Sequence, residues 1–167
     1  NLYNTGLKTA KILGLNLGLF SIYIKFTTPK EIVKGHLFDN GVIGILFHSD
    51  SSLIVYLGSN IILRKYDIDL NSKHEIIVKS ENGIFSLNID GEILCTEFID
   101  TNALAIEEYI ANVGGYYKYI NPQSTFAGII QSVKVYNDIV DDSMLKSSYV
   151  YKTDTMLLYL DALTLFH

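Results

Sequence analysis

The stretch HEIIVKSENGIFSLNIDGE, residues 74–92, constrains the fold more than any other part of the chain. Side chains alternate along an extended strand, so His74, Ile76 and Val78 share one face and Glu75, Ile77 and Lys79 the other. Asn82-Gly83 follows. A two-residue type I′ turn needs φ > 0 at both central positions, which Asn-Gly supplies. Phe85, Leu87 and Ile89 then alternate with Ser86 and Asn88, giving one apolar and one polar face. Asp90-Gly91 is another signal of the same kind, and residues 92–98 return as a third strand. A three-strand antiparallel meander is thus written into the local sequence.

The rest of the chain repeats the period of two. Leu13, Leu15, Leu17 and Leu19 alternate, and Phe20, Ile22, Ile24 and Phe26 alternate on the other parity. A parity switch inside one run implies a bulge, or two strands joined near Gly18. Residues 42–48, 53–57 and 61–66 read as strands, separated by the turn-rich SDSS and GSN. Residues 99–112 fit either a short helix capped by Thr101 or Asn102, or a loop with one strand. Gly114-Gly115 breaks this segment, and the tyrosine-rich YYKYINPQST follows. Residues 126–139 form a long alternating strand. Residues 141–148 begin acidic and carry Lys146 near their end, as the dipole of a short helix favours. Residues 155–165 close the chain as a strand. Many short strands and one short helix predict an all-β antiparallel two-sheet β-sandwich, each sheet with one buried and one wet face.

Composition bounds the function. The 167 residues are 49% hydrophobic and 19% charged, which suits one globular domain over 1–167. A net charge of −5, with Arg64-Lys65 the only adjacent basic pair, argues against a nucleic-acid surface. The apolar segment between Lys11 and Lys25 is too short and too interrupted to span a bilayer. Cys95 is the single cysteine, so no intrachain disulfide or multi-cysteine zinc site exists. Between Leu94 and Thr96 it reads as a small core or edge residue. The sequence opens at Asn1 without Met or signal peptide, and the expectation is a domain of a larger protein.

Three segments resemble the laminin-G-like members of the concanavalin A-like lectin/glucanase superfamily. They are FSIYIKFTTP (20–29), KHEIIVKSENGIFSLNIDGEIL (73–94) and GGYYKYINPQSTFAGIIQSVKVYNDIVDDSML (114–145). Residues 73–94 are similar to the family's aromatic-His pair, strand, polar-Gly turn, strand and Asp-Gly. Residues 114–145 resemble its aromatic-x-Gly-x-Ile strand, Tyr-Asn pair and acidic-capped helix. Lys73 stands where the family usually has Trp, and the chain has no Trp. The resemblance implies a jelly-roll sandwich, and a histidine at position 74 that is structural and bonds neighbouring backbone. It also implies calcium at the sandwich rim, for which Asp39-Asn40, Asp50 and Asp138 could supply hard oxygens. No Asp-x-Asp-x-Asp-Gly loop is present, and these residues read first as turn formers. No metal site is assigned; His36, His48, His74 and His167 show no metal-ligand spacing.

Glycanases of this superfamily place Glu-x-Asp-x-Glu on one strand, so that three carboxylates share a face. No such triplet occurs. Asp67-Ile68-Asp69 is followed by Leu70-Asn71, and the adjacent Glu107 and Glu108 would point apart in a strand. No catalytic residue is assigned. The best contact surface is GGYYKYINPQ, with Tyr116, Tyr117, Tyr119, Asn121 and Gln123 as the ligand-binding candidates. Tyrosine rings stack on sugars and their hydroxyls hydrogen-bond. The alternative is a loop packing on its own sheet.

The expectation is therefore a non-catalytic recognition module. It would bind a glycan or cell-surface receptor within a larger extracellular, cell-surface or virion protein such as a phage tail. Its partners would be that ligand and the parent's other domains, with no nucleic acid and no membrane insertion. A structural or oligomerisation domain of a fibre or coat is the alternative, and the mean hydropathy of +0.23 suits a homo-oligomer. A divergent glycoside hydrolase ranks third.

Overall fold

The computed structural model describes residues 8–11, 14–102, 104, 110–114 and 125–161. Within them, two six-stranded antiparallel sheets face each other. The strands are β1 (Lys8–Lys11), β2 (Leu19–Thr27), β3 (Gly35–Asp39), β4 (Ile43–Phe47), β5 (Leu53–Leu57) and β6 (Asn60–Lys65). They continue as β7 (Lys73–Glu81), β8 (Ile84–Ile89), β9 (Glu92–Cys95), β10 (Ile110–Val113), β11 (Ile129–Tyr136) and β12 (Met156–Asp161). The first sheet runs β1-β10-β3-β4-β5-β6, and the other β12-β11-β2-β7-β8-β9.

The meander forms as the sequence predicts. Glu81 pairs with Ile84 and Ile89 with Glu92, so both loops have two residues. Asn82 and Gly83 have φ of 50° and 82°, and Asp90 and Gly91 49° and 91°. These are type I′ turns, whose twist matches the strands they join. His74, Ile76, Val78, Phe85, Leu87 and Ile89 are all buried. The apolar ones join Ile22, Ile24 and Phe26 of β2 in one core with Phe38, Ile45, Phe47 and Val55 of the first sheet. Edge-on aromatic pairs fill it, among them Phe20–Phe85 with centroids 6.0 Å apart and Phe26–Phe126 at 5.9 Å.

The helix α1 (Asp142–Lys146) is where the charge pattern put it. Asp141 is its N-cap and accepts from the Ser143 amide at 3.0 Å. Leu145 seats on Tyr23, Ile77, Tyr136 and Val140, a small additional core on the outer face of the second sheet. This explains Ile77, which alternation turns away from the main core. Asp142 ties the helix down by accepting from Lys79 and from the Asn88 amide.

Other expectations shift. Leu15 and Leu17 are buried, but β2 starts only at Leu19. Gly14 takes φ of 76°, and the Leu19 amide donates to the Asn16 carbonyl at 3.0 Å. The parity switch is thus a turn leading into β2. β9 stops at Cys95, and the chain runs on beside β8 in irregular pairing, the Thr96 amide donating to the Phe85 carbonyl and the Ile99 amide to the Gly83 carbonyl, each at 2.8 Å. Cys95 is exposed on this edge strand. Of the two readings for 99–112, the strand holds at Ile110–Val113, and residues 105–109 lie outside the described residues. β3 has no counterpart among the strands read from the sequence. No helix among the described residues is long and apolar enough to cross a membrane.

Candidate functional site

The outward face of the first sheet carries a polar cluster that no single segment reveals. A bulge between His36 and Phe38 of β3 breaks the alternation. Phe38 stays in the core, while His36 and Asp39 come out on one face with His36 Nε2 3.8 Å from Asp39 Oδ2. Asp39 pairs with Gly44, and Gly44 with Tyr56. The Tyr56 ring lies over Gly44, where an added Cβ would stand 2.0 Å from it. Glycine at 44 therefore lets the Tyr56 hydroxyl reach across β4 and donate to Asp39 Oδ2. The Gly41 amide donates to Asp39 Oδ1 at 2.6 Å. Asn112 pairs with Asp39 from β10, and Thr125 bridges His36.

His36, Asp39, Asn112 and Thr125 are all buried. Burial pushes the Asp39 carboxyl up to about 6, against the downward pull of the hydrogen bonds from Tyr56 and Gly41. Such a closed cluster is suited to holding backbone in place. The backbone it holds is the root of the tyrosine segment. The Gly114 amide donates to the Leu37 carbonyl at 2.9 Å, and the Phe126 amide to the Gly114 carbonyl at 3.0 Å. Gly114 and Phe126, on either side of 115–124, thus meet at one point of the sheet. Tyr116, Tyr117, Tyr119, Asn121 and Gln123 all lie outside the described residues.

The four calcium candidates are engaged in turns. Asp39 is bonded as above. Asn40 Oδ1 accepts from the Val42 and Ile43 amides at 3.0 and 2.8 Å. Asp50 Oδ1 accepts from the Ser52 amide at 3.0 Å, and Asp138 Oδ1 from the Ile139 amide at 2.8 Å. Among the described residues no three His, Cys, Asp or Glu side chains gather to hold a metal ion. Each of the four thus has a side-chain oxygen engaged by a turn amide.

His74 is structural, as expected. Its Nε2 meets the Asp69 carbonyl at 2.9 Å and its Nδ1 the Asp90 carboxylate at 2.6 Å. Asp90 also accepts from the Glu75 amide at 2.9 Å, which ties the Asp90-Gly91 turn to β7. Asp67 takes φ of 58° in a loop, and the Asp69 carbonyl is taken by Thr28 as well as by His74. This carboxylate pair is therefore off any strand, and Glu107 and Glu108 lie outside the described residues.

Sequence reasoning missed His36, Tyr56, Asn112 and Thr125 as one site. One signal was available: Gly44 inside the apolar strand IGILF, which implies a close approach from a neighbouring strand.

No protein-family model matches the chain, and no curated protein matches it. Solved structures do. A candidate carbohydrate-binding protein from Bacteroides ovatus superposes with a TM-score of 0.69 at 13% identity, over 93% of this chain and 48% of that one. This chain thus spans about half the length of that structure. The CBM40 of the Ruminococcus gnavus IT-sialidase, bound to α2,3-sialyllactose, gives 0.57 at 19% identity, over 77% of this chain and 80% of its own. A heptameric SAP-like pentraxin from Limulus polyphemus gives 0.59 at 12%, over 87% and 80%. Likeness at these identities speaks for the fold alone, and the fold is a two-sheet antiparallel jelly-roll β-sandwich.

Proposed function

We propose that this sandwich is a non-catalytic recognition module that binds a glycan through the tyrosine segment, residues 115–124. The observation that carries the reading is the anchoring of that segment. Gly114 and Phe126, on either side of it, bond to each other beside a bulged strand held by the Asp39–Tyr56 contact. The sequence between them, rich in stacking and hydrogen-bonding groups, is thus flanked by a rigid base. Tyr116, Tyr117 and Tyr119 supply rings for stacking, and Asn121 and Gln123 amides for sugar hydroxyls. The fold shared with a sialyllactose-bound CBM40 supports the ligand class. The laminin-G-like pattern and an extracellular, cell-surface or virion setting within a longer protein complete the proposal. A glycan array tests it: the wild type retains specific glycans, and Tyr117→Ala with Tyr119→Ala lowers affinity at least about tenfold. Array silence, or unchanged binding by the double variant, would sink this site. Incubation with a β-glucan panel is expected to release no product.

A different reading, as an assembly unit, has its own support. Ile84, Ile93 and Phe98 are 40, 60 and 68% exposed along the β8–β9 edge of the second sheet. Exposed apolar surface on an edge favours contacts between chains. A stable dimer or trimer by light scattering would favour this reading, and a monomer the first.

A further inference from the structure

The outer face of the second sheet holds a separate groove of about 340 Å3. Its floor is set by register. Lys25, Ser132 and Asp161 lie abreast across β2, β11 and β12, and Tyr23, Lys134 and Tyr159 form the next row. The end of α1, from Lys146 to Ser148, is one wall. Lys134 is committed to the fold: its ammonium donates to the Leu145 and Ser147 carbonyls at 2.7 Å each, closing the helix end. It also stands 5.3 Å from the centroid of the Tyr23 ring.

Lys25 and Lys146 are not so committed. Lys25 is half-buried and Lys146 exposed, and neither has an ion-pair partner among the described residues. Elsewhere on the described surface Lys65 pairs with Glu92 and Lys79 with Asp142. Two acidic groups each accept a hydrogen bond from a tyrosine hydroxyl: Asp161, in the groove lining, from Tyr159 at 2.9 Å, and Glu75, beside Lys25, from Tyr23 at 2.8 Å. Two ammonium groups without an ion-pair partner among the described residues thus line one groove, in a chain of net charge −5. Around them lie neutral polar groups: Ser132, Ser148 and Gln131, whose amide nitrogen is fixed on Thr27 at 2.9 Å.

We propose that this groove binds a saccharide carrying a carboxylate. Lys25 and Lys146 donate charge-assisted hydrogen bonds to the carboxylate. The Ser132 and Ser148 hydroxyls serve the ring hydroxyls. The volume suits a ligand of one or two rings, whereas a bare phosphate would use the lysines and leave the neutral groups idle. The ligand class rests on the glycan reading above, but the surface is a different one.

Calorimetry with α2,3-sialyllactose, lactose and inorganic phosphate tests the assignment. The proteins compared are the wild type, Lys25→Gln/Lys146→Gln and, as a control of equal charge change outside the groove, Lys30→Gln/Lys34→Gln. The wild type is expected to prefer sialyllactose to lactose by about tenfold or more. That preference should shrink as salt rises from roughly 50 to 500 mM, through screening. The Lys25/Lys146 variant loses the preference with an unchanged melting temperature, and the control at the exposed Lys30 and Lys34 keeps it. A preference that survives in the Lys25/Lys146 variant, or phosphate binding as tightly as sialyllactose, overturns the proposal. Glycan binding without any acidic preference overturns this inference alone; no glycan binding at all overturns both readings.

Discussion

Asp39 sits where an ionised carboxylate is poorly solvated, and its partners only partly compensate. Burial raises it from 3.8 to about 6 despite the Tyr56 and Gly41 hydrogen bonds. Between those values the folded protein holds a proton that the unfolded chain has released. Stability therefore falls as pH rises from about 4 to about 6, by about 3 kcal/mol from this group. Urea unfolding of wild type and Asp39→Asn across that range checks it: the wild type should lose stability relative to the variant as pH rises. A difference that stays flat with pH would refute the shift. The environment comprises His36 at 3.8 Å, the Tyr56 hydroxyl and Asn112 across the β3–β10 pairing. None of this was legible at residue 39, which read as a turn former. The Gly41 amide bond is that turn, and the rest of the environment arrives from β5, β10 and Thr125.

Among the elements, the two hairpin turns offer a controlled comparison. Gly83 and Gly91 share a left-handed backbone, at φ of 82° and 91°. Alanine at either position incurs the left-handed penalty of about 1–2 kcal/mol. At Gly91 a Cβ would meet nothing within 4 Å, whereas at Gly83 it would lie 2.5 Å from the Phe98 ring and 2.8 Å from the Ile99 carbonyl. Gly83→Ala is therefore expected to cost clearly more than Gly91→Ala in thermal or urea unfolding, and equal costs would argue against this packing. The turns themselves were legible, because type I′ geometry is a local demand on two residues. The extra constraint on Gly83 was not, since it comes from Phe98 and Ile99, which run past the turn beyond the end of β9. β3 was missed for a related reason. GHLFD carries a bulge and two polar residues that are buried by a cluster, so its pattern does not alternate.

Across the whole molecule, one core joins both sheets. Ile22, Val78 and Phe85 of one sheet share it with Phe38, Ile45 and Val55 of the other. Among the described residues neither sheet has another apolar layer of comparable size to bury its inner face, so we propose that residues 1–167 form one domain. Such a unit unfolds as a whole: circular dichroism and tyrosine fluorescence should give one coincident urea transition, and two separated transitions would divide the domain. Local sequence was enough to set the strictly alternating strands, the two type I′ turns, the capped helix and hence the sandwich. Each of those features depends on neighbours within a few positions. The meeting of His36, Asp39, Tyr56, Asn112 and Thr125, and the placing of Lys25 and Lys146 on one groove, needed the assembled sheets. They depend on strand order, register and a bulge. A shift of one residue would send each of these side chains to the opposite face.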